Sequence, residues 1–89
     1  MKPVHKQIGQ LIKIRRIVKD MTQAQLAEKL GYDSPQFVHL FEKGSSKVPV
    51  QTLGKLIVLL DLPESKIKHL LVDEFHNDLM AEIEKGKAI

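Results

Sequence analysis

The chain has 89 residues, which suits one domain over 1–89, and its 43% apolar content supports a small core with only four aromatics and no Trp. It has no Cys, which excludes disulfides and thiolate metal sites. No run of 18 apolar residues and no signal-peptide pattern occurs, so no membrane partner is expected and the cytoplasm is the expected location. The net charge of +3 is unevenly spread: residues 1–60 hold ten Lys/Arg against four Asp/Glu, whereas residues 61–89 hold four against seven. Such asymmetry suits a polyanionic partner for the first part alone.

Residues 1–5 read as a frayed end. Over residues 4–19 the spacing of Ile8, Leu11, Ile12 and Val18 predicts a helix, with Ile14 and Ile17 widening its apolar face. Arg15 and Arg16 interrupt that face.

The next stretch, residues 22–44, predicts two short helices around a tight turn. Thr22 can cap the first, and Gln25 three positions on completes a capping box. Leu26, Ala27 and Leu30 share a face, and Gly31 stands where a left-handed C-cap is wanted. Ser34 is a good N-cap for the second helix, Pro35 fits its first position, and Gly44 closes it. Val38 and Phe41 can face inward with Phe37 at their edge. Gln36, His39 and Lys43 then lie together on the opposite face. A donor-bearing face on a short helix, propped by a second short helix, is what reading a DNA major groove requires. Gln36 is the best base reader, because its carboxamide can bond adenine bidentately. Ser34, His39 and Lys43 are its neighbours, and Leu40 suits a thymine methyl.

Downstream, Ser45, Ser46 and Lys47 form a small, basic loop able to hold phosphate beside that helix. Pro49 predicts the start of a fourth helix with Leu53, Leu56, Ile57 and Leu60 as its core stripe and Gly54 allowing close packing. A fifth pattern runs from Glu64 to about Lys85, with Gly86 as its stop. Ile67, Leu70 and Leu71 can complete the core. Phe75, Leu79, Met80 and Ile83 then form a stripe that either meets a second copy of the chain or folds back on that core. His69, Asp73 and His76 share a helical side, but a solvated polar face explains them better than a metal.

The ordered set Ile8-Gly9, Arg16, Gln23, Leu26-Ala27, Leu30-Gly31, Glu42-Lys43-Gly44 and Pro49 resembles the Cro/CI (Xre-type) helix-turn-helix repressors over roughly residues 8–62. The turn at 31–35 is one residue longer than the commonest version of that family. The resemblance implies an all-α, five-helix lambda-repressor-like DNA-binding domain, here with an extended C-terminal helix. It implies that Arg16 pairs with Glu42, that Gln23 spans a phosphate and the recognition helix, and that the chain acts as a homodimer on double-stranded DNA. Arg15, where the family has a small or apolar residue, is expected to snorkel toward solvent or DNA.

The expected function is therefore a sequence-specific DNA-binding transcriptional regulator, read as a repressor. The alternative is an antitoxin-type module that binds a partner protein through its last helix. No nucleophile–base set, Gly-rich phosphate loop or paired-carboxylate pocket is present, so neither an enzyme, a cofactor nor a small-molecule substrate is expected.

Overall fold

A computed structural model describes residues 3–89. The elements are five helices: α1 (Pro3–Val18), α2 (Gln23–Leu30), α3 (Gln36–Lys43), α4 (Val50–Leu60) and α5 (Glu64–Lys87). No strand occurs among the described residues.

The turns follow from residue types. Thr22 and Gln25 form the full capping box: the Gln25 amide N–H donates to Thr22 Oγ1 at 3.0 Å, and the Thr22 N–H to Gln25 Oε1 at 2.8 Å. Helices α1 to α4 all end on a residue in the left-handed region, Asp20, Gly31, Gly44 and Asp61 in turn. At Gly31, its own N–H reaches the Glu28 carbonyl and the Tyr32 N–H reaches Ala27, which satisfies carbonyls that the helix leaves open.

Thirteen buried side chains from α1 to α5 and their connecting loops make one core, with Ile12, Leu26, Leu56, Leu60, Ile67 and Val38 at its centre. From α1 the inward stripe is His5, Ile8, Gly9, Ile12 and Arg16, spaced at helical intervals. Ile14, Ile17 and Val18 are exposed instead. Their positions on the 3.6-residue turn put them on the far side of that stripe, so the expected wider apolar face is wrong. The expected frayed end is corrected too. Residues 1–2 lie outside the described residues, but Pro3 to His5 are helical, and buried His5 places Nε2 3.1 Å from Glu74 Oε1 on α5.

The close approach falls at Gly9, not Gly54. A Cβ on Gly9 would collide with the Phe41 carbonyl oxygen and lie 2.8 Å from that of Glu42, whereas one on Gly54 would meet nothing. This is where α1 crosses α3. Gly9→Ala is therefore expected to cost about 3 kcal/mol or more, measured by urea denaturation, because backbone has to move apart. Gly54→Ala is expected to be neutral or to stabilise by about 1 kcal/mol, as glycine costs more than alanine inside a helix.

Arg15, a third exposed, does not simply snorkel outward but is tied into the fold. Its Nε donates to the Leu60 carbonyl at 2.9 Å, closing the C-terminal end of α4, where a cation is favoured. Lys19 joins it through a 2.7 Å hydrogen bond to Asp61. That bond, with the charge of Lys19 and more weakly that of Arg15, holds the Asp61 carboxyl below its usual range. The stabilisation is present at neutral pH and is lost as pH falls through the lowered value.

Finally, α5 is one continuous helix of 24 residues, about 36 Å long. It runs through Gly86 rather than stopping there. Only Ile67 is fully buried, with Leu70 and Leu71 half-buried against the core. The molecule is accordingly elongated, 50 × 25 × 19 Å.

Candidate nucleic-acid interface

Helix α3 divides cleanly into two faces. Val38, Phe41 and Glu42 are buried, while Gln36, His39 and Lys43 are exposed and Leu40 is half-buried. About 100° per residue orders the outer side chains around the helix as His39, Lys43, Gln36, Leu40, Phe37. The face thus has a polar edge, a carboxamide in the middle and an apolar edge.

Its start differs from the expected one by one residue. Pro35 is the N-cap, its carbonyl accepting from the His39 N–H at 3.0 Å. Ser34, exposed in the turn, offers only a long 3.4 Å contact from the Gln36 N–H. A proline cannot cap through its side chain, and α3 has no side-chain hydrogen bond from its N-cap residue.

The helix is locked from behind. Arg16 Nε donates to Glu42 Oε2 at 2.6 Å and Arg16 Nη2 to Oε1 at 3.1 Å, a two-pronged pair. Arg16 Nη1 also donates to the Met21 carbonyl at 2.7 Å, and Gln23 Nε2 donates to Glu42 Oε1 at 3.0 Å. Arg16, Gln23 and Glu42 therefore form one network joining α1, α2 and α3. Neither the Met21 carbonyl nor the direct Gln23–Glu42 bond is signalled by spacing.

A second brace was not foreseen. Tyr32, inside the 31–35 turn, stacks on Phe37 with ring centroids 4.9 Å apart and planes 26° from parallel. It also meets Phe41 at 6.2 Å, and its hydroxyl lies 3.0 Å from Thr52 Oγ1 on α4. An aromatic spaced five from another across a turn gives no periodic signal, and only the fold brings them together.

Beyond α3, Gly44 takes φ 73°, and a Cβ there would come within 2.8 Å of the Lys6 Cα. The chain is thereby turned so that Ser45 and Lys47 are exposed and Ser46 half-exposed beside the end of α3, while Val48 returns to the core. Phe75, Leu79, Met80 and Ile83 lie on α5 and all are exposed, Phe75 at 70%. Among the described residues, no group of three or more His, Asp or Glu could hold a metal ion, and no helix is long and apolar enough to cross a membrane.

The profile of the helix-turn-helix family matches residues 12–67, well over half of the chain. A comparison with curated proteins gives no match. Among solved structures the fold is similar to that of the clp gene regulator ClgR from Corynebacterium glutamicum, with 19% identity, a TM-score of 0.65 and coverage of 96% of this chain and 95% of that one. It is also similar to the restriction-modification controller protein C.Esp1396I, with 23% identity, a TM-score of 0.63 and coverage of 84% of this chain and 95% of that one. With the propped, outward α3 and the matched motif both in place, the chain belongs to the Cro/CI (Xre-type) helix-turn-helix family of DNA-binding transcription regulators.

Proposed function

We propose that this chain is a sequence-specific transcriptional repressor that binds double-stranded DNA as a homodimer and reads the major groove with α3. The observation that carries the reading is the division of α3: Gln36, His39 and Lys43 are exposed while Glu42, Val38 and Phe41 anchor the same helix. A rigid polar face is what base readout needs, since a mobile one would lose affinity to ordering. Gln36 contacts the base edge, with Ser34, His39, Leu40 and Lys43 around it. Gln23, Ser45, Ser46 and Lys47 hold the sugar-phosphate backbone. For Gln23 that role is shared, because its amide also bonds Glu42. Regulation of transcription is in keeping with ClgR, named as a gene regulator, and with C.Esp1396I, named as a controller protein.

Gln36→Ala tests the reading position. It is expected to cost about 1–3 kcal/mol at the preferred site, to relax preference at one base pair and to leave nonspecific affinity nearly intact. Unchanged sequence preference in that variant would place base reading elsewhere on α3. Lys47→Ala is expected to behave differently. It weakens all sequences alike and lowers the slope of log affinity against log salt by about one. Affinity indifferent to salt would remove the phosphate contacts from the account.

A further inference from the structure

We infer that Phe37, braced by Tyr32, is a reader of the 5-methyl group of thymine, one of the residues that set which operator this chain prefers. The inference rests on the reading of α3 as the major-groove helix. Phe37 is 49% exposed, although α3 has room for a large apolar side chain in the core, where Phe41 is almost fully buried. Its exposed ring is not loose. The stack on Tyr32 covers one side, Phe41 stands 6.4 Å from it, and the Tyr32 hydroxyl is tied to Thr52 on α4. A stacked pair holds its geometry at little entropic cost, because each ring has only two side-chain torsions to fix.

The position of the ring gives it a target. Phe37 and Leu40 form the apolar edge of the outward face, next to Gln36. In the major groove an A·T pair shows one apolar feature, the thymine C5-methyl, and phenylalanine is among the side chains that contact it. With Gln36 on an adenine, the apolar edge lies toward the methyl of the same pair or of its neighbour. An exposed ring there excludes water from the methyl, and cytosine, which lacks that group, gains nothing. The alternative function for an exposed phenylalanine, closing the core, is already met by Phe41, Val38 and Ile12.

The test uses the full chain and duplexes selected from a random pool. In the selected site each thymine is replaced in turn by uracil, which removes only the methyl. For the wild-type protein, one replacement per half-site is expected to weaken binding about fourfold, the factor corresponding to one buried CH2-sized group. Phe37→Ala is expected to bind the thymine and uracil versions of that site equally, and Tyr32→Ala, which removes the brace together with its contacts to Phe41 and Thr52, is expected to narrow the difference between them. Leu40→Ala, on the same reading face, is expected to lower affinity for both versions while keeping the ratio between them. If Phe37→Ala melts, Phe37→Gln, which favours a helix more than serine does and keeps part of the side-chain bulk, serves, with folding checked by circular dichroism. Discrimination that survives in Phe37→Ala but vanishes in Leu40→Ala would assign the methyl to Leu40 and overturn the proposal. So would a wild-type protein for which no uracil replacement matters. A pool from which no sequence is enriched would overturn the operator reading itself, a result distinct from either of these.

Discussion

Arg16→Ala is expected to destabilise the fold by about 3–5 kcal/mol, and Glu42→Ala by a similar amount. The reason is the buried end of the pair. Glu42 is 8% exposed and holds three hydrogen bonds, two from Arg16 and one from Gln23. Removing the guanidinium leaves that carboxylate with one neutral donor in a place where an unpaired charge is costly. Removing Glu42 strands Arg16, which keeps only the Met21 carbonyl. The two losses overlap, so the double variant is expected to lose much less than their sum. Chemical denaturation followed by far-ultraviolet circular dichroism measures the coupling. A small domain has only about 5–15 kcal/mol in total, so either single change brings it near the threshold of folding. Additive effects would show that the pair is not the lock between α1 and α3.

The largest effect on function is expected from α5. Leu79→Asp combined with Ile83→Asp is expected to yield a folded monomer whose affinity for a two-fold symmetric operator falls by about 10²–10⁴, the gain usually provided by linking two sites. The stripe of Phe75, Leu79, Met80 and Ile83 does not fold back onto the core. The helix stays continuous, and successive 100° steps turn Leu79, Met80 and Ile83, together with exposed Val72, more than 100° from Ile67, with exposed Phe75 at the near edge of that stripe. Left in water, so many large apolar side chains on one helix are unfavourable, and a second copy related by a two-fold axis would cover them. Sedimentation gives the mass, and circular dichroism shows whether helicity persists. A single half-site is expected to be bound as weakly as before. An unchanged dimer would place the interface elsewhere, and loss of the whole fold would mean that these residues support the monomer.

Much of the architecture is legible in the sequence because it depends on local rules. Thr22 and Gln25, Gly31 and Gly44 each act within one helical turn, and the structure shows them in the expected caps. The inward set Ile8, Ile12, Leu26, Val38, Leu56 and Ile67 follows from periodicity. What could not be read depends on which face a neighbour covers. Val18 continues an apolar pattern that Ile14 and Ile17 widen, but α1 buries a single stripe and leaves all three exposed. Gly9 and Gly54 look alike as letters; crossing geometry alone separates the glycine that α3 needs from one that faces solvent. Arg15 closes α4 through a residue 45 positions away, and Tyr32 braces α3 through Thr52. For the interface, helical spacing places Gln36, His39 and Lys43 together, whereas the cap falls on Pro35 rather than Ser34. No spacing rule reports which proline or serine provides the first carbonyl.

Whether α3 reads a defined operator for a two-fold dimer is decided by selection of bound duplexes from a random pool, followed by footprinting of the enriched sequence. An inverted repeat is expected, with half-site centres about one helical turn, roughly 34 Å, apart, protected on one face of the duplex. Gln36→Ala is further expected to alter the enriched half-site at one position. Failure to enrich any sequence, or an enriched sequence that stays the same in the Gln36→Ala and Lys43→Ala variants, would contradict that reading of α3.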